Sequence, residues 1–218
     1  MKKVILVILG ILLLTAINLQ GQNVQLMYDF GSQKEHLTAT FEHFSVDEYG
    51  TNFYFVDVEF NGQDNNVSLA YIKAMRTLKF WDSPFSIHLG YDGGLLHTEH
   101  FSTYINNAYM IGGDYTYMSK DYSKTLSLKA MYKNIQGIDN ATYQLSAIWI
   151  LNYLNDKITV SGFTHYWKEN STHIVYSEPQ FWYNATKHLS LGGEVKVGYN
   201  FNNSGLVFTP SAGIKWNL

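Results

Sequence analysis

The stretch Lys187-His188-Leu189-Ser190-Leu191-Gly192-Gly193-Glu194-Val195-Lys196-Val197-Gly198-Tyr199 decides the fold. Successive side chains of an extended strand point to opposite faces. Here Leu189, Leu191, Gly193, Val195, Val197 and Tyr199 share one face, while Ser190, Gly192, Glu194, Lys196 and Gly198 share the other. One face suits hydrocarbon and the other suits water. The run also exceeds the roughly five or six residues usual for a soluble strand, and it matches the roughly 9–11 that cross a bilayer at a tilt.

The same split recurs on both sides of this segment. At 51–60, Tyr54, Val56, Val58 and Phe60 oppose Phe53, Phe55, Asp57 and Glu59; at 124–133, Leu126, Leu128, Ala130 and Tyr132 oppose Ser127, Lys129, Met131 and Lys133. Candidate strands fall at 24–30, 36–45, 51–60, 67–80, 85–92, 103–119, 124–133, 141–151, 157–167, 172–184, 187–199 and 205–217. An even number fits a single-chain bacterial barrel. The expected class is therefore all-β: a 12-stranded antiparallel up-and-down transmembrane β-barrel. The last strand alternates to the final residue, as a closing strand does, and the longest connection is expected at 93–102. Two segments read less cleanly. Arg76 has the parity opposite to Tyr71, Lys73 and Met75, which requires a bulge or a place near an interface. At 157–167 both faces mix apolar and polar residues.

Composition agrees with a membrane reading. Only 15% of residues are charged, against roughly 25% in soluble domains. Lys2 and Lys3 precede an apolar run from Val4 to Leu14 and a small, polar stretch to Gly21, the layout of a secretory signal. The expected organisation is a signal peptide at 1–21, cleaved near Gly21, and an outer-membrane barrel at 22–218. With no cysteine there is no disulfide framework or thiolate chemistry, and a net charge of −3 without a basic run argues against nucleic acid as a partner.

Three further stretches carry a family resemblance: Gln25-Leu26-Met27-Tyr28-Asp29-Phe30-Gly31, Thr38-Ala39-Thr40-Phe41-Glu42-His43-Phe44, and Tyr49 through Phe60. Together with Leu78-Lys79-Phe80-Trp81-Asp82-Ser83-Pro84-Phe85-Ser86-Ile87-His88 and Ser177-Glu178-Pro179-Gln180-Phe181-Trp182-Tyr183-Asn184, they resemble the nucleoside-specific channel-forming (Tsx-like) outer-membrane family, in particular its short branch. The resemblance implies a monomer in the outer membrane that passes nucleosides by diffusion, with no cofactor and with lipid as its surroundings. The chain departs from that family before Arg76, where Lys73 and Met75 replace an acidic pair.

A nucleoside offers a flat base, which stacks on aromatic rings at about 1–3 kcal/mol, and ribose hydroxyls that seek charged partners. Candidate lumen contacts are Glu42, Phe53, Phe55, Asp57 and Glu59, with Lys73, His88, Asp92, Lys129 and Lys133 as opposing groups. Tyr109, Tyr115, Tyr117, Trp149, Trp167, Tyr199 and Trp216 read as interfacial girdle. Bracing of the interior is the competing role for each lumen charge. The alternatives to a channel are a structural or ligand-binding barrel with a filled lumen, a soluble lipocalin-like barrel whose uncharged face is core, and an outer-membrane lipid hydrolase. Ser161 and His165 share a face but stand about 13 Å apart along a strand, beyond hydrogen-bond reach. His97, Glu99 and His100 cluster in sequence, yet their spacing does not converge ligands, and no metal is expected.

Overall fold

The computed structural model describes residues 21–31, 35–62, 66–140, 142–202 and 204–218. The expected signal peptide at 1–21 lies outside the described residues except for Gly21. Long alternating runs become strands β1 (Gln22–Asp29), β2 (His36–Asp47), β3 (Gly50–Phe60), β4 (Leu69–Leu78), β5 (Phe85–His97), β6 (Ser102–Met118) and β7 (Lys124–Ile135). β8 (Thr142–Tyr153), β9 (Ile158–Glu169), β10 (Thr172–Ser177), β11 (Gln180–Asn184), β12 (Leu189–Tyr199) and β13 (Leu206–Asn217) complete the sheet. Strands β1 to β9 each pair antiparallel with the next, β10 and β11 both lie between β9 and β12, and β12 pairs with β13 and β13 with β1, so the sheet closes. Closure leaves no edge with unpaired backbone groups, which hydrocarbon would penalise.

β10 and β11 are two halves of one barrel strand. Both pair with β9 and with β12, and the register runs on unbroken from Ser177↔Thr164 to Gln180↔Ser161. The interruption falls at Pro179, which has no N–H to donate. Beside it Gly162 adopts φ +150°, where a Cβ would come within 2.4 Å of the Glu178 carbonyl oxygen. The barrel thus has twelve strand positions.

Exposure decides which face is which. On the uncharged face Leu128 is 47% exposed, Leu145 46% and Leu191 45%, whereas Asp29 is 0% and Lys73 6% exposed. Away from the rims, where Arg76, Asp47 and Lys168 lie outside, charges point inward and hydrocarbon side chains point outward. A soluble barrel would invert this arrangement, so the lipocalin-like alternative falls. An apolar surface of this extent persists only against lipid.

The two unclear segments resolve simply. β4 keeps one register along β3 and β5, with no bulge, so Arg76 lies on the outer face near the β2–β3 turn. There its guanidinium donates to both Asp47 carboxylate oxygens at 2.8 Å. In β9, Ser161, Phe163, His165 and Trp167 face the lumen, in register with Ile150, Ile148, Ser146 and Gln144 of β8. Two expectations need correction. The connection at 93–102 shrinks to 98–101, because β5 extends to His97 by pairing with β4 and, past a bulge at Asp92–Gly94, with β6. Trp167 is not part of the girdle: it is buried inside, against Phe201, with Lys133 Nζ 4.5 Å from its ring centre.

Candidate functional site

The lumen concentrates charge, and its geometry follows from strand order. β12, β13, β1, β2 and β3 lie side by side and bring Asp29, Glu59 and Glu194 around Lys196. Lys196 Nζ stands 3.3 Å from Asp29, 3.9 Å from Glu194 and 4.0 Å from Glu59. His36 Nε2 lies 3.4 Å from Asp29 Oδ2, and Thr38 donates to that same oxygen at 2.7 Å, while Lys196 faces Oδ1. Next to them Thr40 donates to Asp57, Gln180 donates to Glu194, and Tyr176 donates to Glu178. Carboxylates outnumber ammonium groups on this side, and hydrogen bonds from neutral neighbours share the task of stabilising them.

The opposite wall, β4 to β9, carries three further lysines, each with its own partner. Lys129 pairs with Asp114 at 2.9 Å and donates to His88 Nδ1 at 3.1 Å; Lys73 lies 3.5 Å from Asp92. Lys133 donates to Gln144 at 3.0 Å. Lys73 Nζ also reaches His165 Nε2 at 3.3 Å, and His165 Nδ1 meets Ser146 Oγ at 2.8 Å. β4 and β9 are five strand positions apart in a ring of twelve, so the Lys73–His165 contact spans the lumen.

That contact also bears on catalysis. An ammonium donating to His165 Nε2 occupies the ring's lone pair there and leaves the hydrogen on Nδ1, which then donates to Ser146. Histidine in that tautomer does not take a proton from the serine, so the pair does not make an activated nucleophile. Ser161 and His165 both face inward, away from lipid. His97 ends β5 with its Nδ1 at 2.6 Å from Ser102, and no group of metal ligands occurs among the described residues.

Aromatic rings form a ledge along part of the wall. Phe53 and Phe55 have ring centres 6.0 Å apart, and Tyr71 continues the series 6.0 Å from Phe55. At the end that carries both termini, a polar vestibule of about 290 Å³ lies among Asn23, Asn184, Ser190, Asn217 and Lys215, with Trp182 as part of its lining. Lys215 Nζ sits 4.2 Å over the Trp182 ring.

Glu42, Phe53, Phe55, Asp57, Glu59, Lys73, His88, Asp92 and Lys129 all lie on the lumen side, as register with their neighbours requires. They do not form one site. Glu42 accepts from Asn23 at 2.8 Å near the terminal end, and Lys73, His88, Asp92 and Lys129 bond among themselves rather than opposing Asp57 and Glu59. The cation that does meet the β1–β3 carboxylates is Lys196, with Glu178, Glu194 and His165 as further lumen groups outside the expected set. Alternation placed Glu194 and Lys196 on the polar face; their partners depend on closure, which strand patterns do not encode.

The inward polar face, the lipid-suited exterior and the closed twelve-position ring define a bacterial outer-membrane β-barrel, and the exterior places the chain in that membrane. The chain belongs to the family described as Domain of unknown function (DUF5020), whose profile matches residues 21–218. No curated protein matches it in sequence. Among solved structures it is similar to a KdgM porin in complex with disordered oligogalacturonate, with TM-score 0.56 and 14% identity over 90% of this chain and 99% of that one. It is also similar to the NanC porin, with TM-score 0.59 and 9% identity over 91% of this chain and all of the other. At such identities the likeness is one of fold. The resemblance to the nucleoside-channel family rests on the motifs quoted above.

Proposed function

We propose that the barrel is a non-catalytic diffusion channel for small polar solutes, with nucleosides as the finer assignment. The observation that carries this reading is the lumen itself: a charged and hydroxylated interior with the Phe53–Phe55–Tyr71 ledge beside Asp57 and Glu59. A base stacks on such a ledge while ribose hydroxyls meet the carboxylates. Permeation needs weak sites in series, since a site that binds tightly does not release. The fold shared with the KdgM and NanC porins supports a channel. The oligogalacturonate of the KdgM complex suits this lumen poorly, because a polyanion would face Asp29, Asp57, Glu59, Glu178 and Glu194, the lysines opposite are already engaged with Asp92, Asp114 and Gln144, and the chain's sole arginine, Arg76, lies on the outer face.

One observation favours the filled-lumen reading: the Lys73–His165 contact closes part of the cross-section. A lysine stem is flexible, and its ammonium has Asp92 as an alternative partner. Planar-bilayer recording separates the two. A channel gives discrete conductance steps that millimolar adenosine partly blocks and that an equal concentration of galacturonate oligomer does not. Silence from folded, heat-modifiable protein rejects conduction, and steps blocked equally by both solutes reject the nucleoside assignment while keeping the pore.

A further inference from the structure

The outer wall carries a groove that the lumen reading does not use. It has a volume of about 650 Å³ and crosses β5 to β9, with Gly113, Ala130 and Ala147 in its floor, Leu145 in its wall, and Phe85 and Tyr166 at its two ends. Gly113 pairs with Ala130, and a Cβ placed on Gly113 meets nothing within 4 Å. The volume lies within the roughly 300–1,000 Å³ of small-molecule sites. Phe85 is the first residue of β5, at the terminal end, while Tyr166 lies near the close of β9, so the groove climbs the wall from one membrane boundary towards the other.

Its upper end is polar and basic. Tyr166 OH lies 2.7 Å from His173 Nδ1, the two rings stack at 5.9 Å and 16°, and Tyr143 OH lies 3.4 Å from Tyr166 OH. Lys168 is in register with His173, shares the outward parity of Tyr166, and enters no ion pair among the described residues. The tyrosine occupies His173 Nδ1 and leaves Nε2 available. A hydrocarbon trough that ends in an ammonium, an imidazole and phenol hydroxyls at the membrane boundary complements one chemistry: acyl chain below, phosphate above.

We infer that the outer wall of β5–β10 is a binding site for a phosphate-headed acyl lipid, its chain along Gly113, Ala130 and Ala147 and its phosphate at Lys168, His173 and Tyr143. The site does not depend on whether the lumen conducts. The test is native mass spectrometry of the detergent-released full barrel with three probes: phosphatidic acid, diacylglycerol of the same chains, and inorganic phosphate. The expected result is one phosphatidic acid retained under activation that strips diacylglycerol and phosphate. Ala147→Phe, or Ala130→Leu should the first variant lose heat-modifiable folding, lowers retention at least tenfold. Lys168→Gln with His173→Gln lowers phosphatidic acid to the diacylglycerol level. Equal retention of diacylglycerol, retention unchanged in the filled-groove variant, phosphate held as tightly as the lipid, or a lipid-free dimer in place of the lipid adduct would each overturn the assignment.

Discussion

Lys196→Met removes an ammonium that three carboxylates on the acidic side of the lumen share. Its Nζ lies 3.3 Å from Asp29, a residue with no solvent exposure, and within 4.0 Å of Glu194 and Glu59. At an effective dielectric near 20, a pair at about 4 Å attracts by roughly 4 kcal/mol. Desolvation offsets part of that in the intact protein, but breaking a buried pair from one side costs about 3–5 kcal/mol, because the remaining charge is left without compensation. For a chain of this size each kcal/mol shifts the unfolding midpoint by about 2–4 °C, so a drop on the order of 10 °C is expected. The assay is heat-modifiable migration: samples in detergent are heated in steps, and the midpoint of conversion to the slower, unfolded band is read. Asp29→Asn placed in the Lys196→Met background should recover more than half of the loss, since it removes the orphaned charge while keeping the shape of the side chain. A midpoint within about 2 °C of the parent, or no recovery in the double variant, would refute the view that Lys196 is the keystone of this cluster.

Other perturbations separate wall, seam and rim. Gly162→Ala places a Cβ 2.4 Å from the Glu178 carbonyl oxygen at a backbone angle that L residues avoid, and it should lower the same midpoint by an amount equivalent to about 1–3 kcal/mol. Arg76→Ala should leave it nearly unchanged, since that pair sits at the rim with Asp47 well exposed and screened by solvent. Lys73→Ala removes the contact across the lumen and should raise single-channel conductance, read in planar bilayers; an unchanged step size would show that the constriction lies elsewhere. Finally, fluorophores attached through Val195→Cys and Val197→Cys should be quenched by brominated lipid, while one attached through Lys196→Cys should respond only to aqueous quenchers. Reversal of that pattern would unseat the membrane orientation of the wall.

Much of this protein is legible in its sequence because a membrane strand must satisfy two solvents at once. Alternation alone places Leu189, Val195 and Val197 outside and Glu194 and Lys196 inside, and it sets most strand boundaries within a few residues. It also fixes parity, so Phe53, Phe55, Asp57 and Glu59 were bound to share one face. Long-range partners were not legible. Period two says which face a side chain takes but nothing about the strand across the ring; Lys73 meeting His165 follows from their strands standing nearly opposite after closure, and Lys196 meeting Asp29 follows from the β1–β13 seam. Trp167 shows the same limit, since an aromatic near a strand end suits a girdle or an interior equally, and only its register with Gln144 and Ile174 turns it inward. Local chemistry thus determined the wall, while ring closure decided which charges share the space inside it, because contact across a lumen depends on strand order and tilt rather than on neighbours in the chain.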